Sequence, residues 1–520
     1  MPLPDPRHLA CTGPQPVLPA AADGAGWPLF NTEASRRIEA TSLAGTAPHA
    51  LMARAGLGAA RLALATAPQA RRIWVAAGPG NNGGDGLVLA RLLHRQGLEV
   101  RVSLLGDASR APDDARDALA QAQQAGVRIT DAVDPGWPAG TEADLAVDAL
   151  LGLGARRAPE GLLHDAVRRL NAGAAPVLAL DLPTGLCGDT GRRLGDTAVR
   201  AHHTLALLTL KPGLFTADGR DHAGRVWLDT LGVSSAAEPT TARLTGPDTL
   251  RALLPSRAHA QHKGSFGDVL VLGGAPGMGG AALLAARAAL TAGAGRVYLA
   301  RLDEDLAPDA VRPELMPRRL AAALQPELLR HCTVVCGCGG GSAVRNTLPT
   351  VLQHAARLVL DADALNAVAA DALLQAALAG RAAAGQPTVL TPHPLEAARL
   401  LGLATPEVQA QRLLQAQALA GRWACTVVLK GSGSVVAAPG HPPHVNPSGN
   451  ARLGSGGSGD VLAGWLGGLW SQQATGDTGL AVAAASVWLH GRAAEHGDTR
   501  LPLRAADLIE AMAAALPAAD

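Results

Sequence analysis

Residues 73–97 read IWVAAGPGNNGGDGLVLARLLHRQG. The apolar run Ile73–Ala77 suits a buried strand and is too short for a core helix. GPGNNGGDG, Gly78–Gly86, follows it, and its glycines let the backbone turn tightly and approach a ligand. The apolar residues from about Leu87 then recur with helical spacing. Strand, glycine-rich turn and helix open a parallel α/β unit, and a helix N-terminus facing the turn can hold an anion on free N–H groups. The turn lacks the Lys-Ser/Thr end of a P-loop, and G-x-x-G-G-x-G only approximates the dinucleotide fingerprint. Asn and Gly favour positive φ, so a plain turn is the alternative. The density of polar groups in NNGGD favours binding.

The same grammar recurs along the chain. Val100–Leu105 is a further apolar run, Asp144–Val147 leads into DALLGLG and Pro176–Leu180 into DLPTG. Later, Asp268–Leu272 precedes GGAPGMGG, Thr333–Val335 precedes CGCGGG and Leu358–Leu360 precedes DADALN. Thr388–Leu390 precedes TPHP, and Thr426–Leu429 precedes KGSGS. Ala281–Ala292 and Pro406–Leu419 are helical candidates. Short buried strands alternating with helices predict parallel sheets, with the motifs gathered at the carboxyl ends of strands. The break at Ser234–Thr241, SSAAEPTT, divides the chain into two α/β domains, and no short-period repeat occurs.

The 520 residues carry 45 Lys+Arg against 44 Asp+Glu, a formal net charge of +1. That balance gives no support for a general nucleic-acid or anionic-membrane binder. Hydrophobic residues at 48% and charged residues at 17% argue against a disordered chain. The 2% aromatic content disfavours stacking platforms for single-stranded nucleic acid. Six cysteines make no disulfide framework. Cys332, Cys336 and Cys338 form the only cluster, read as a metal or redox site or as small residues at a strand end. MPLPDPRHLACTGPQP has no signal-peptide core, and no apolar stretch reaches the about 18 residues of a membrane span. The expectation is a soluble cytoplasmic protein.

Asp148 and Asp181 end strands. Each could cap a helix. Together with Asn82 and Thr184 they could instead place oxygens around a hard cation, and a carboxylate beside a substrate could act as general base. In the second half GSGGSGDVLAG, Gly454–Gly464, runs into an apolar helix. Small residues before a helix make an anion hole. Asp460 at its mouth either takes a proton from an attacking hydroxyl or stabilises the helix end.

LMARAG (Leu51–Gly56), GPGNNGGDG, VDALLGLG (Val147–Gly154), DLPTG (Asp181–Gly185) and LKPGLFTADGRDHAGRV (Leu210–Val226) occur in that order. Over about residues 28–232 the chain thereby resembles the NAD(P)HX epimerase domain of bifunctional NAD(P)H-hydrate repair enzymes. The resemblance implies a Rossmann-like parallel-sheet fold. It implies that Asn81, Asn82, Gly83, Gly84 and Asp85, with Gly152, Leu153, Gly154, Ala155, Arg156, Arg157 and Ala158, contact the hydrated nicotinamide nucleotide. Asn82, Asp148 and Thr184 would bind K⁺. Asp181 would bind substrate and transfer the proton. Ala53 stands where the family often has an acidic or polar residue.

GGSGD resembles the signature of ribokinase-like phosphotransferases. HKGSFG (His262–Gly267), GGAPGMGGAALLAARAAL (Gly273–Leu290), AGAGRV (Ala292–Val297), LDADALN (Leu360–Asn366), LTPHPLEAARLLG (Leu390–Gly402) and VVLKGSGSVV (Val427–Val436) narrow it. Over about residues 244–518 the chain resembles the ADP/ATP-dependent NAD(P)HX dehydratase domain, a ribokinase-like α/β fold. Domain expectations are an extension at 1–27, the epimerase domain at 28–232, a linker at 233–243 and the dehydratase domain at 244–520. By the resemblance Lys430, Gly431, Ser432, Gly433, Ser434 and Gly459 hold the adenine nucleotide. Ala281, Gly339, His393 and Asp460 hold the substrate, with Asp460 as base on the C6 hydroxyl. Phosphorylation would make that hydroxyl a leaving group, with Mg²⁺ neutralising charge on the moving phosphoryl. His393 could also be a rigid loop residue and Lys430 a solvated strand end. Asp361 and Asp363 could be caps or touch Mg²⁺ through water, and His262 and Lys263 could bind substrate or order a loop. GCGGG, Gly337–Gly341, replaces a GPGLG-like loop, with Cys338 in place of Pro.

The resemblance thus implies a two-domain repair enzyme acting on NADHX and NADPHX. It would epimerise R and S forms and dehydrate the S form to NAD(P)H, AMP (or ADP) and phosphate, leaning towards ADP. The expected assembly is a homo-oligomer. One alternative is a ribokinase-like small-molecule kinase, against which the HKG, GMGGA and TPHP motifs count. Another is a non-catalytic nucleotide-binding first domain, against which Asn82, Asp85, Asp148 and Asp181 together count.

Overall fold

The computed structural model describes residues 13–17, 26–138, 141–254, 257–474, 476–498 and 500–516. Of the expected extension 1–27, only 13–17 and 26–27 fall within these residues. Contacts divide the chain into two units, one built mainly on Pro28–Ala242 and one mainly on the residues from Arg243 onward, which also takes in Trp27.

In the first unit the apolar runs become strands covered on both faces. Ile73, Val75 and Ala77 join one buried cluster, while Trp74 and Ala76 join another. This is the period of two expected of a strand inside a layered α/β fold. Seven parallel strands lie in the order Arg225–Asp229, His203–Leu207, Val177–Leu180, Leu145–Ala149, Arg72–Ala77, Glu99–Leu104, Arg128–Thr130. Numbered along the chain this is 3-2-1-4-5-6-7, the doubly wound Rossmann order extended by one strand. Gln15–Pro16 adds an antiparallel edge. The order reverses between Arg72–Ala77 and Leu145–Ala149, which opens a crevice there.

The sheet of the second unit repeats that order. Its parallel strands run Met316–Pro317, Arg296–Arg301, Asp268–Gly273, Thr333–Cys336, Arg357–Leu360, Thr388–Leu390, Thr426–Leu429. Val435–Ala437 and His444–Val445 continue it antiparallel. Val269 and Val271 face one core, Leu270 and Leu272 the other. The switch point lies between Asp268–Gly273 and Thr333–Cys336, where GGAPGMGG and GCGGG meet.

Several sequence expectations move. The helix after Arg72–Ala77 spans Asn81–Arg95 and does not wait until Leu87. Asn81–Gly86 are therefore its first turns, not a loop. Gly83 permits this, because a Cβ there would lie 1.9 Å from the Gly78 carbonyl oxygen. The strand expected at Asp144–Val147 is Leu145–Ala149, which puts Asp148 inside it. The helix expected at Pro406–Leu419 is two, Thr405–Ala410 and Arg412–Trp423, broken at Gln411 in a non-helical conformation. KGSGS follows the strand Thr426–Leu429 as expected, and turns a hairpin to Val435–Ala437. Among the described residues no single helix is long and apolar enough to cross a membrane.

Helix Ser458–Ser471 crosses helix Gly279–Thr291 closely, since a Cβ on Gly464 would lie 2.0 Å from the Ala285 carbonyl oxygen. Gly464→Ala is expected to destabilise the protein by about 1–3 kcal/mol through overpacking. Gly421→Ala, on helix Arg412–Trp423 with nothing within 4 Å of its Cβ position, should stabilise by up to about 1 kcal/mol. Chemical unfolding of the two variants should shift in opposite directions.

Candidate active sites

At the first switch point lies a cavity of about 810 Å³. Strand Arg72–Ala77 delivers Asn81, Asn82 and Asp85 to it on the following helix. Strand Leu145–Ala149 delivers Gly152–Ala158 on the following loop, and strand Val177–Leu180 delivers Asp181. All of these line the cavity. Gly83 and Gly84 do not, because Gly83 packs on Gly78 and Gly84 on Met52 and Ala115. Both serve the fit of the helix. Ala53 is exposed and outside the lining, so its departure from the family pattern leaves the cavity unchanged.

Neither Asp148 nor Asp181 caps a helix. Asp148 is fully buried and accepts from the Thr184 N–H at 2.8 Å, the Thr184 hydroxyl at 2.7 Å and the Leu150 N–H at 3.2 Å. Burial pushes its carboxyl up to about 6 despite those bonds. The Thr184 hydroxyl accepts from the Leu151 N–H at 3.0 Å. Asn82 is buried with neither amide atom hydrogen-bonded. A Cβ on Gly152 would lie 3.4 Å from Asn82 and 2.9 Å from Asp181 Oδ2, so the Leu151–Gly152 segment joins all four residues. Asp85 is driven well above the ordinary carboxylate range by burial and then by Asp181, Glu39 and Asp114.

Asp181 sits at φ +63°, a left-handed position unusual for a non-glycine residue and frequent at functional sites. Its Oδ2 accepts from the Leu153 N–H at 2.8 Å, and its Oδ1 accepts from Lys211 Nζ at 2.5 Å. The Lys211 side chain is 2% exposed, and its ammonium also donates to the Leu207 carbonyl. Sequence reasoning quoted LKPG but gave Lys211 no role; it also passed over Arg36 and Glu39 in the cavity wall. A signal was present. The chain holds only three lysines, Lys211, Lys263 and Lys430, among its 45 basic residues.

In the second unit GCGGG packs against the loop after Asp268–Gly273: Gly274 N–H donates to the Cys338 carbonyl and Ala275 N–H to that of Gly339. Ala281 and Gly339 touch, since a Gly339 Cβ would lie 2.8 Å from that of Ala281. Asp363 accepts from the Gly341 N–H at 2.8 Å, so it holds this loop. Asp460 lies in the first turn of helix Ser458–Ser471. Burial, then Asp361, pushes its carboxyl up to about 6, and the Cys338 thiol donates to it.

Lys430 is not a solvated strand end: its Nζ lies 2.6 Å from Asp361 Oδ1 and is 3.2 Å from the Cβ position of Gly459. Burial pulls its ammonium down, but Asp361 and Glu396 outweigh burial and raise it overall. Below the hairpin loop the buried Arg412 guanidinium donates to the carbonyls of Leu429, Lys430 and Gly433. His393 caps helix Pro394–Leu401: its Nδ1 accepts from the Leu395 and Glu396 N–H groups, and the Glu396 carboxylate accepts from the His393 N–H. Glu396 is pushed up to about 7 by burial. His262 is exposed and caps the short helix Lys263–Phe266, accepting from the Gly264 N–H.

The three cysteines divide between the two cores: Cys332 and Cys336, the last residue of its strand, lie in the core that holds Leu270 and Leu272, while Cys338 lies in the opposite core. Cys332 is near Asp268 and Arg296, and burial pushes its thiol and that of Cys336 up to about 12. Among the described residues they form no joint metal site.

Residues 269–512 match the family model described as NAD(P)H-hydrate dehydratase, and residues 48–213 the model described as YjeF-related protein N-terminus. The chain is 38% identical to a bifunctional NAD(P)H-hydrate repair enzyme of Coxiella burnetii over 91% of this chain and 96% of that one. It is 38% identical to the corresponding Escherichia coli enzyme over 88% and 87%. An ADP/ATP-dependent NAD(P)H-hydrate dehydratase from Bacillus subtilis overlays 52% of this chain and 95% of its own at 28% identity, with a TM-score of 0.41.

Lys211→Met is expected to leave Asp181 buried without its counter-charge, costing about 3–5 kcal/mol of stability. Adding Asp181→Asn to that variant should recover part of the loss. Unfolding midpoints of both single variants and the double variant check the coupling.

Proposed function

Because the chain belongs to the bifunctional NAD(P)H-hydrate repair enzymes, we propose that its first unit interconverts R and S epimers of NADHX and NADPHX, while its second dehydrates the S epimer using ADP or ATP. The observation that carries this reading is that both proposed proton carriers, Asp181 and Asp460, stand at the carboxyl edge of their own sheets beside glycine-rich turns and an ion-paired lysine, buried Lys211 in one unit and partly buried Lys430 in the other. The homo-oligomer and cytoplasmic setting belong to the same reading.

In the first unit Lys211 holds Asp181 in one orientation, and the Leu153 N–H fixes its second oxygen. The carboxylate can then take a proton from the hydrated ring and return it. Asn81, Asp85 and Gly152–Ala158 would form the walls around the nucleotide. The uncommitted amide of buried Asn82, the Asp148 carboxylate and the Thr184 hydroxyl form an oxygen-rich set that fits a hard monovalent cation. These residues would hold K⁺, whose charge would favour the ionised form of Asp148 and steady anionic groups of the substrate.

In the second unit Asp460 takes the C6 hydroxyl proton as that oxygen attacks the terminal phosphoryl group of the adenine nucleotide. The phosphate ester then leaves C6 with its bonding electrons, and loss of the C5 proton restores the double bond. Lys430–Ser434 and Gly459 would hold the nucleotide; Ala281, Gly339 and His393 would hold the nicotinamide. Asp361 keeps Oδ1 for Lys430 and Thr391, with Oδ2 beside Gly459, so it fits a hard divalent cation arriving with nucleotide phosphates. Asp361 would hold Mg²⁺, which would neutralise charge on the transferring phosphoryl group.

The test is recovery of reduced-nicotinamide absorbance from mixed NADHX epimers with K⁺, Mg²⁺ and ADP or ATP. Complete, nucleotide-dependent conversion is expected; a stable phosphorylated product would instead mean a kinase. Asp181→Asn should stop conversion once the S epimer is spent. Asp460→Asn should abolish dehydration while epimer exchange continues. With Asp460 at about 6, dehydration should be steady above that pH and fall about tenfold per unit below it, as the base is protonated.

A further inference from the structure

We propose that Cys338, Asp361 and Asp460 form a site for a thiophilic divalent cation of the zinc class, and that its occupancy shuts the dehydratase. Only the second half of this statement rests on the role given to Asp460 above; the metal site stands on geometry alone.

Three separate elements supply the donors. Cys338 follows strand Thr333–Cys336, Asp361 follows strand Arg357–Leu360, and Asp460 opens helix Ser458–Ser471. One sulfur and two carboxylate oxygens lie within 4.8 Å of one another, the one such grouping of three metal-ligating side chains among the described residues. Tetrahedral zinc holds sulfur and oxygen donors about 3.3–3.6 Å apart, so the three side chains would close in slightly on an ion, with a solvent molecule as the fourth ligand. The donors are held in place. The Cys338 carbonyl accepts from the Gly274 N–H, and the Gly337 N–H donates to the Leu272 carbonyl, so the backbone that carries the thiol is fixed at the switch point. Asp361 spends Oδ1 on Lys430 at 2.6 Å and Thr391 at 2.8 Å, and Oδ2 faces the Gly459 turn.

Charge favours a cation there. Asp361, Asp460 and Glu396 lie near the ammonium of Lys430, and Asp363 lies near Asp460. The site is also reachable, since Cys338 and Asp361 are buried while Asp460 is partly exposed. Sulfur decides the class of ion: Mg²⁺ takes oxygen ligands, whereas a thiolate selects Zn²⁺, Co²⁺ or Cd²⁺. Binding is a simple exchange, in which the thiol proton leaves to water as the metal–sulfur bond forms. The ion then occupies the carboxylate that would accept the hydroxyl proton, so the base is lost while the ion stays.

The experiment titrates full-length protein with Co²⁺ under anaerobic conditions and reads the sulfur-to-cobalt charge-transfer band. One equivalent of band is expected, displaced by Zn²⁺ and absent in Cys338→Ser and Cys338→Ala. Zn²⁺ affinity, read by competition with a chromophoric chelator, should fall at least about tenfold in those variants and in Asp361→Asn. Thermal unfolding shows whether each variant is folded, and Asp361→Asn retains the thiol if the cysteine variants are not. No band in the native protein, or an undiminished band in folded Cys338→Ser, overturns the site. Zn²⁺ should inhibit dehydration, with chelator restoring it; full activity with the band saturated overturns the inhibitory role. If Asp460→Asn still dehydrates, the assignment of the base fails while the metal site stands.

Discussion

A lysine ammonium pressed against an aspartate at the carboxyl edge of a parallel sheet occurs once in each unit. Lys211 meets Asp181 at 2.5 Å and Lys430 meets Asp361 at 2.6 Å. Neither lysine could be buried alone, because an unpaired charge in an apolar interior costs several kcal/mol. Each pair therefore fixes two strand-end loops relative to each other. In the first unit it ties the loop after His203–Leu207 to the turn after Val177–Leu180, and through the Leu153 N–H to the loop that walls the cavity. In the second it ties the hairpin loop after Thr426–Leu429 to the end of Arg357–Leu360. The site residues inherit their positions from these contacts.

Around each pair the surrounding carboxyls are held near neutrality by burial. Asp148 and Asp460 rise to about 6 and Glu396 to about 7. One fixed positive charge among several poorly solvated acids makes a place where a proton or a cation is easily exchanged. Proton transfer at Asp460 needs a carboxylate that can be loaded and unloaded near neutral pH, and burial sets that range there.

Much of this was legible beforehand. Apolar runs ending in glycine-rich turns fixed the class of fold, and their order placed Asp148, Asp181 and Asp460 at strand ends or helix mouths. The starts of elements were less legible. Asn81–Gly86 read as a loop because composition favours turns; only the contact of Gly83 with the Gly78 carbonyl, which is tertiary, makes it helix. KGSGS was taken as one more strand-end turn, and its hairpin depends on an antiparallel partner that spacing does not reveal. The cysteines read as a cluster because they are close in sequence, yet the strand ends at Cys336 and the following turn carries Cys338 to the other core. Lys211 stands within the LKPG motif, yet its role is not legible there, because its partner Asp181 is 30 residues away in sequence.

The scarcity of lysine has a consequence for chemical labelling. Arginine supplies nearly all the positive charge, and of the three lysine side chains two are enclosed in ion pairs while Lys263 is exposed. An acylating reagent aimed at side-chain amines therefore meets one open target and two shielded ones, each shielded amine belonging to a different candidate site. Slow acylation of Lys211 and Lys430 would report the opening of each site separately, against Lys263 as an internal clock. The chain carries its own pair of footprinting probes, with no residue needing to be introduced.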